Sequence, residues 1–392
     1  DYFSKKVGLV GHFSEMVELH INNVNYGIYH MHSREDESMV RYNQRMPGPL
    51  LLGQTLNEKW KIEDFQIVNL QSISKNKDIF SKMIKEINKE YTNWSSWDQF
   101  WDIVNFEQAA KHMALNSILG ILHNDYNHNH EFFYDRTTGK VEPIISDAMS
   151  LGTYVYPWGR YRLNLNTIIL KEKPDFLIPI NQKTNKFFNH LIKNTEFYHS
   201  RNLFIKRFLD KELSLKNQEK FLDTIYKKIN PTVYKDQYKK YIIGRIGGWN
   251  VSEYSNFEYE IFKKNVYEFL KKRILFLEDQ LNQNFLEINY VNFDQKLENS
   301  HYLMVKYKGE LPIILNQKVF GKKIKVYDPK LKKFRENNQK KLNIHTGLKI
   351  IKNNHKFTNV TSGEDIFHKN HYTTDFQTYV LKLDKKIDQK KL

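Results

Sequence analysis

Cysteine is absent from the 392-residue sequence. Its absence excludes disulfides, thiolate catalysis and cysteine-based zinc sites, but it fits any redox compartment. Long hydrophobic runs are also missing, and no stretch approaches the length of a membrane-spanning helix. The first residue is Asp rather than Met, and no signal peptide is visible. We therefore expect a processed or truncated N-terminus and leave the compartment open, with an extracytoplasmic or cell-envelope location among the alternatives.

Aromatic residues and basic charge are what the sequence has in excess. With 24 Tyr, 26 Phe and 40% hydrophobic residues, the composition is that of a folded protein with room for two domains. The formal charge of +16 favours anionic partners such as nucleotide phosphates, nucleic acids or acidic proteins. The charge does not choose among them, since abundant Lys and Asn also arise in AT-rich genomes. Nucleic-acid binding is not expected, because no recognised binding motif is present.

Hydrophobic periodicity gives the chain its predicted organisation. Residues 17–21 alternate apolar and polar side chains and residues 26–31 return as a second strand, so a strand pair is predicted, followed by a loop over 33–49. Apolar residues three and four apart predict a helix over residues 106–122. Past residue 285, short alternating runs predict a β-rich region. Further helices are predicted within residues 56–92 and over residues 187–192, 204–209, 217–229 and 256–281.

The most informative stretch is a second predicted β-hairpin in the middle of the chain. Residues 131–135 are aromatic and strand-prone, and residues 141–145 form a second strand-like run. Between them lies a four-residue turn in which Gly139 is free to take a positive φ. If Asp135 pairs with Lys140 across this turn, antiparallel pairing fixes the register of the whole hairpin.

Three polar side chains flank this hairpin. In that register Asp147 lies opposite about His128, with Asn129 next to it and Asp125 one turn of irregular chain away. Phosphoryl transfer needs such a set: one acid orients the attacking hydroxyl, while an amide and a second acid hold Mg²⁺ against the phosphates. We therefore interpret the stretch as a nucleotide-phosphate site, although Asn and Asp also simply mark loops.

The order and spacing of these pieces resemble the spore coat protein H (CotH) kinase family. The resemblance extends over roughly residues 2–282. At the N-terminal end it is carried by residues 3–9, by Val17-Glu18-Leu19-His20-Ile21-Asn22-Asn23 and by Tyr26-Gly27-Ile28-Tyr29. Its core extends from Asn124-Asp125 through His128-Asn129 and Tyr134-Asp135 to Ile144-Ile145-Ser146-Asp147. The last part is the long helix with Phe269, Arg273 and Leu277.

The resemblance implies an α+β architecture: a divergent protein-kinase-like fold with a small β lobe, a helical lobe and a C-terminal β-rich appendage. We accordingly predict a kinase-like domain over residues 1–285, incomplete at its N-terminus, and a small β-rich domain over residues 286–392. The implied activity is that of a protein kinase that uses ATP and Mg²⁺ (or Mn²⁺) to phosphorylate Ser-type hydroxyls of a protein substrate.

The resemblance also implies roles for individual residues. By position, Asp125 corresponds to the catalytic acid, Asp147 to the metal-binding acid, and Asn129 to the metal-binding amide. A cation that pairs with the nucleotide phosphates is expected as well, because it stabilises the charge of the transition state. The candidates for this role are Lys5, Lys6, Arg34 and Arg41.

Several family features are replaced in this sequence. Ser146 and Met149 stand where the family usually has Trp and a second Asp, and residues 50–53 contain no Lys where many members have Leu-Tyr-Lys. The family's Glu after the first strand pair appears as Ser33, with Glu35 or Asp36 nearby. These departures support a second hypothesis, in which the chain is a catalytically weak pseudokinase or a cell-surface or coat interaction module.

A third hypothesis comes from the histidines around the candidate site. His123, His128 and His130 cluster with Asp125 in the sequence. Histidines two apart on a strand face the same side and can share a transition metal. A metal-dependent phosphoesterase, such as a hydrolase or nuclease, is therefore the third alternative.

Overall fold

Helices and strands both build the fold, as the mixed periodicities of the sequence predict, and the α+β class is confirmed. The structure is a computed structural model. None of its described helices is both long and apolar enough to cross a membrane. It describes residues 1–55, 59–68, 73–91, 95–120, 130–146, 186–236, 240–245, 249–253, 255–291, 301–316, 324–328, 332–337, 341–345, 347–358 and 365–383.

The N-terminal half begins with a short helix that ends where Gly8 takes a left-handed conformation (φ 75°). Residues 33–49 were expected to be a loop, but they contain a helix whose first turn is capped by the Asp36 carboxylate. The elements are α1 (Tyr2–Val7), β1 (Ser14–Ile21), β2 (Val24–His32), α2 (Glu37–Tyr42), β3 (Leu50–Gly53), β4 (Phe65–Val68), α3 (Ile73–Asn88), α4 (Asp98–Ile103), α5 (Phe106–Leu119), β5 (Glu131–Asp135) and β6 (Lys140–Ile144).

Four of these strands form an antiparallel sheet in the order β4-β3-β5-β6. Its strands carry apolar side chains on both faces, because both faces are covered. Phe132 packs into the cluster that contains Trp60, whereas its neighbour Phe133 packs into the cluster that contains Met39 and Val40. The sheet is therefore a central layer of the fold.

Helix α5 crosses the molecule beside this sheet. The sequence predicts one buried face, but ten of its residues are buried, including the polar His112 and Asn116. The reason is that α5 lies between two hydrophobic clusters. Ala109, Ala110 and Met113 belong to the cluster around Trp60, whereas Ala114 and Ile118 belong to another. Burial therefore extends beyond one apolar face of the helix.

The described residues between 186 and 282 are mainly helical, as predicted, with one additional hairpin that the sequence did not suggest. Helix α9 is held to α5 by the buried Arg273, whose Nε and Nη2 both donate to the Ser117 carbonyl at 2.8 and 2.6 Å. Burial and the charge of Arg201 lower the pKa of Arg273 to about 9. The elements are α6 (Lys186–Leu191), α7 (Thr195–Asp210), α8 (Leu215–Lys235), β7 (Lys240–Arg245), β8 (Trp249–Glu253) and α9 (Asn256–Asn282).

The C-terminal residues that the structure describes are strands, as their alternating pattern predicts. Glu310 connects them to the helices, because Tyr198 and Asn202 of α7 both donate to its carboxylate. The predicted domain boundary at residue 285/286 stays a prediction. The strands are β9 (Asn284–Val291), β10 (His301–Gly309), β11 (Ile313–Asn316), β12 (Ile324–Asp328), β13 (Lys333–Asn337), β14 (Lys341–Ile344), β15 (Gly347–Thr358), β16 (Asp365–Asp375) and β17 (Gln377–Leu383), five of which form a sheet in the order β13-β12-β17-β10-β9.

A histidine is enclosed among aromatic rings where α6 meets α3 and α4. The ring of His190 lies 4.7 to 4.9 Å from the ring centroids of Tyr91, Trp97 and Phe100. Burial, together with the charges of nearby lysines, lowers the pKa of His190 to about 3. The folded protein therefore holds this side chain neutral at pH values where an unfolded chain would protonate it.

We expect His190 to make the protein sensitive to acid. The unfolded chain binds a proton below the ordinary pKa of 6.5, whereas the folded chain does not until about 3, so stability falls as the pH drops through this window. The limiting slope is roughly 1.4 kcal/mol per pH unit. The free energy of unfolding, measured in urea at about pH 7 and about pH 5, should fall less between the two pH values for His190→Leu than for the unsubstituted protein. His20→Leu, at an exposed position, should leave the loss unchanged; an equal loss in all three proteins contradicts the prediction.

The strand pair β1–β2 is attached to the end of α8 at a glycine. Gly27 has a positive φ of 86°, and the neighbouring Ile28 N–H donates to the Asp236 carboxylate at 3.1 Å. A Cβ atom on Gly27 would overlap that carboxylate. Glycine at this position is therefore required both by the backbone angle and by the close approach of α8.

Gly27→Ala should destabilise the protein by more than the backbone angle alone explains. The positive φ costs roughly 1–2 kcal/mol for a residue with a Cβ. Displacing the Asp236 carboxylate adds the loss of its bond to Ile28. Gly139→Ala is the matched control, because Gly139 also has a positive φ (69°) but a Cβ there meets nothing within 4 Å. Chemical denaturation should show a larger loss of unfolding free energy for Gly27→Ala than for Gly139→Ala. Equal losses would mean that the close approach of Asp236 to Gly27 is unimportant.

Candidate functional site

The central hairpin β5–β6 has the register that the sequence predicts. Asp135 pairs with Lys140 and Glu131 with Ile144, and Gly139 in the turn has a positive φ of 69°. The Asp135 carboxylate accepts the Thr137 N–H at 2.9 Å and so closes the turn. The opposite, open end of the hairpin is where the chain enters at residue 130 and leaves at residue 146.

The three predicted site residues on the flanking segments lie outside the described residues. Asp125 and Asn129 belong to residues 121–129, and Asp147 belongs to residues 147–185. The described residues around the hairpin are 130–146. In the sequence, Asn129 directly precedes this range and Asp147 directly follows it. Their proximity and their roles stay a prediction.

A segment from the N-terminus crosses the open end of the hairpin. The Ile145 N–H donates to the Val10 carbonyl at 3.1 Å, and Gly11 forms a parallel bridge with Ile145. Asn43 holds the segment from the other side, since its side chain bonds to both the N–H and the carbonyl of Gly11. This crossing fixes the position of the next residue, His12.

His12 brings two carboxylates together at the same end of the hairpin. Its Nε2 lies 2.9 Å from Oε2 of Glu131, the first residue of β5, and its Nδ1 lies 3.3 Å from the carbonyl of Ser33. Glu35 completes the group, because one ligand atom of each of the three side chains lies within 4.8 Å of the others. The His12 and Glu131 side chains are mostly buried, with 15% and 13% of their surface exposed.

The environment of His12 favours its charged form. Burial alone would lower its pKa, but this is outweighed by the hydrogen bond and charge of Glu131, the Ser33 carbonyl and the charge of Glu35, so the pKa of His12 is raised. The imidazolium form of His12 therefore persists to a higher pH than usual. The open end of the hairpin is thus a place where positive charge is stabilised.

The turn end of the hairpin holds a different acidic pair. Glu142 accepts bonds from Arg45 at 3.2 Å and from the Asn105 side chain at 3.0 Å, while Arg45 also lies 3.7 Å from Asp135. Burial raises the pKa of Glu142, and Arg45 opposes that effect. Because Asn105 also caps the first turn of α5, these contacts tie the hairpin to the helix and leave its open end for other partners.

Comparison with known families identifies the first two thirds of the chain. The family model described as CotH kinase protein matches residues 2–277, from α1 to within α9. The chain belongs to the CotH kinase family. The predicted resemblance is thereby confirmed, and the hairpin β5–β6 with its crossing segment lies inside the matched region. A search of curated proteins gives no match.

Two of the cations proposed from the CotH resemblance line a cavity. Lys5 and Lys6 of α1 are on the wall of a cavity of about 910 Å³ between α1, the hairpin β1–β2 and α8. Lys5 Nζ lies 3.4 Å from the centroid of the Tyr42 ring, and Lys6 Nζ lies 5.4 Å from that of Tyr2. Phe13, which follows His12 directly, is another wall residue, so the cavity lies beside the crossing segment.

The other two proposed cations lie on the segment around α2. Arg41 forms an ion pair with Glu37 one turn earlier, at 2.5 Å, and both side chains are largely exposed. Arg34 is exposed, and its charge contributes to lowering the pKa of Asp36, mainly a consequence of that carboxylate's bond to Ser38. Neither arginine lines the cavity described above. Their predicted role in binding phosphate is untested.

The one described member of the histidine cluster is a core residue. His130 is 2% exposed, and its ring packs 5.0 Å from Trp60 and 6.2 Å from Phe132. A ring enclosed by aromatic side chains is poorly suited to bind a solvent-accessible metal. His123 and His128 lie outside the described residues. The packing of His130 therefore disfavours the phosphoesterase hypothesis.

Sequence reasoning did not find the group formed by His12, Glu35 and Glu131. Its members are separated by up to 119 positions, and no spacing in the sequence connects them. Only one signal was available: Glu35 follows the strand pair near the position where the CotH family has a Glu. The crossing of the hairpin by residues 10–12 is a tertiary feature, and it alone brings the three side chains together.

Proposed function

We propose that this CotH family member is a protein kinase that uses ATP and a divalent metal to phosphorylate Ser-type hydroxyls, on a divergent kinase-like fold. The observation that carries the proposal is the register of β5–β6, since the two sequence segments with the candidate acids flank the open end of that hairpin. The family match over residues 2–277 supports a kinase-like activity. The net charge of +16 suits a nucleotide and an acidic partner.

The proposed roles follow from the chemistry of each side chain. Asp125 accepts a hydrogen bond from the substrate hydroxyl and orients it for attack, as a carboxylate does in phosphoryl transfer. Asn129 and Asp147 offer the amide and carboxylate oxygens that Mg²⁺ prefers. The metal, when bound, would neutralise charge on the transferred phosphoryl group.

Binding of the nucleotide is assigned to the cavity beside the crossing segment. Its volume of about 910 Å³ is in the usual range for small-molecule sites. Lys5 and Lys6 provide positive charge for phosphates, and the stacked rings of Tyr2 and Phe221, 4.0 Å apart, provide an apolar wall. A nucleotide needs both kinds of surface.

Phosphoryl transfer is tested by incubating the protein with γ-labelled ATP, Mg²⁺ or Mn²⁺, and a Ser-rich protein substrate. We expect label on the substrate that disappears when the metal is removed with a chelator, because the phosphate charges then lack their counterion. Label on a Ser-type hydroxyl should survive acid treatment and be released by base, whereas label on a tyrosine survives both. Transfer that continues undiminished in chelator contradicts the proposal.

One observation favours a second candidate, a pseudokinase that serves as an interaction module. Residues 50–53, where many CotH members have a Lys, form β3, whose Leu50 and Leu51 are completely buried between β4 and β5. This strand cannot supply a phosphate-binding cation. ATP binding by calorimetry without any detectable transfer would favour the pseudokinase, whereas a measurable turnover rate would eliminate it.

A further inference from the structure

The group formed by His12, Glu35 and Glu131 has the composition of a metal site. It combines one imidazole with two carboxylates, and one ligand atom of each lies within 4.8 Å of the others. The three residues come from three separate parts of the chain: the crossing segment, the connection after β2, and the start of β5. A surface cluster formed by neighbours in sequence would be common, but this group is assembled by the fold.

The hydrogen bond on the far side of the imidazole defines which nitrogen is available. His12 Nδ1 lies 3.3 Å from the Ser33 carbonyl, which can only accept a hydrogen bond, so the tautomer that satisfies this contact carries its proton on Nδ1. In the neutral ring, Nε2 then presents a lone pair towards the Glu131 carboxylate, 2.9 Å away. In that tautomer the two acceptors are brought together either by a second proton on His12 or, after they separate to roughly 3.4 Å, by a metal ion between them. A backbone carbonyl that holds the other ring nitrogen is the usual arrangement of a metal-binding histidine.

The charge balance favours a divalent ion. A divalent cation balances the charge of two carboxylates beside one neutral imidazole. The His12 and Glu131 side chains are mostly buried, so an uncompensated charge is costly there. Atoms that bind a tetrahedral ion at roughly 2.1 Å lie roughly 3.4 Å from one another, which small side-chain rotations from the present positions can reach.

We propose that His12, Glu35 and Glu131 bind a divalent transition-metal ion of the Zn²⁺ type, with the remaining coordination position open. Imidazole selects such ions over Mg²⁺, which binds almost entirely through oxygen. The proposal does not rest on the kinase activity, because none of the three residues is among those assigned to nucleotide phosphates. Three protein ligands and one open position are typical of zinc sites that bind a further molecule.

The binding is measured by calorimetric titration of Zn²⁺ into the protein after treatment with a chelator, with Mg²⁺ titrated in parallel. We expect one equivalent of Zn²⁺ bound, and at least a tenfold weaker affinity for Mg²⁺. Co²⁺ in place of Zn²⁺ should give visible absorption bands that report imidazole coordination. His12→Gln and Glu131→Gln should each weaken Zn²⁺ binding at least tenfold. His20→Gln is the matched control, since His20 is an exposed histidine whose Nε2 lies 3.6 Å from the carboxylate of Glu18, two residues earlier on β1.

Two further variants keep the outcome decisive. Glu35→Gln removes a ligand without removing the His12–Glu131 hydrogen bond, so it should weaken Zn²⁺ binding while the melting temperature of the metal-free protein stays the same. Asp147→Asn should keep Zn²⁺ binding, because that residue is assigned to the nucleotide metal. If Zn²⁺ binds the His12 and Glu131 variants as tightly as the unsubstituted protein, or if Asp147→Asn alone abolishes binding, the group is an imidazolium ion pair and the inference is wrong.

Discussion

Asp125→Asn should lower the rate of phosphoryl transfer by roughly 100-fold or more, which is the size of effect that a positioned acid or base usually provides. The amide keeps the shape of the side chain but cannot accept the hydroxyl proton. Because the substitution leaves the phosphate-binding groups in place, ATP affinity should change little. Initial rates at saturating ATP, together with ATP binding by calorimetry, separate these two effects.

The control for this variant is the same Asp-to-Asn substitution at an exposed position outside the proposed site. Asp102 of α4 is exposed, so Asp102→Asn should leave both the rate and the melting temperature unchanged. A rate for Asp125→Asn equal to that of the unsubstituted protein would remove Asp125 from the proposed chemistry. If no transfer is measurable for any of the three proteins while ATP still binds, the pseudokinase alternative is supported instead.

Phe132→Ala should destabilise the protein by roughly 3–5 kcal/mol, the usual cost of truncating a fully buried phenylalanine. Phe132 is 1% exposed on β5 and packs 5.1 Å from the ring of Phe187 and 6.1 Å from that of Trp60. The cavity left by the ring cannot close, because it is lined by β-strand backbone and other large rings. The free energy of unfolding in urea measures the loss.

Phe257 provides a matched control with the same chemical change. It lies on α9 with 72% of its surface exposed, so Phe257→Ala should change the free energy of unfolding by at most about 0.5 kcal/mol. A difference of less than 1 kcal/mol between the two variants would show that β5 is not packed as described. Because β5 is also the strand that carries Glu131, a loss of Zn²⁺ binding in Phe132→Ala would connect the core to the proposed metal site.

Local features of the fold could be predicted because they depend on neighbours in the sequence. The β5–β6 register follows from the turn length and from Gly139, and the long helix α9 follows from its apolar spacing. The α2 helix was missed because its six residues are too few to show a helical apolar period: only Met39 and Val40 are buried, and the first turn depends on the Asp36 cap. The β7–β8 hairpin was missed because it lies between two strongly helical segments.

The candidate site could be predicted only in part, for a related reason. The positions of Asp125, Asn129 and Asp147 follow from the order of family motifs, which is a property of the sequence. The meeting of His12 with Glu131 depends on how residues 10–12 cross the end of β6, where Val10 accepts the Ile145 N–H. Such long-range contacts are set by packing, and no local pattern encodes them.

The packing of helix α5 has a consequence for hydrogen exchange in the protein. Its sides are enclosed by two hydrophobic clusters and its last turn is fixed by two hydrogen bonds from Arg273. Amide protons in such a helix exchange with solvent only when the whole molecule unfolds, so α5 should be the slowest-exchanging segment. The last described residue of this segment, Gly120, therefore leaves the helix from an anchor that local fluctuations do not move.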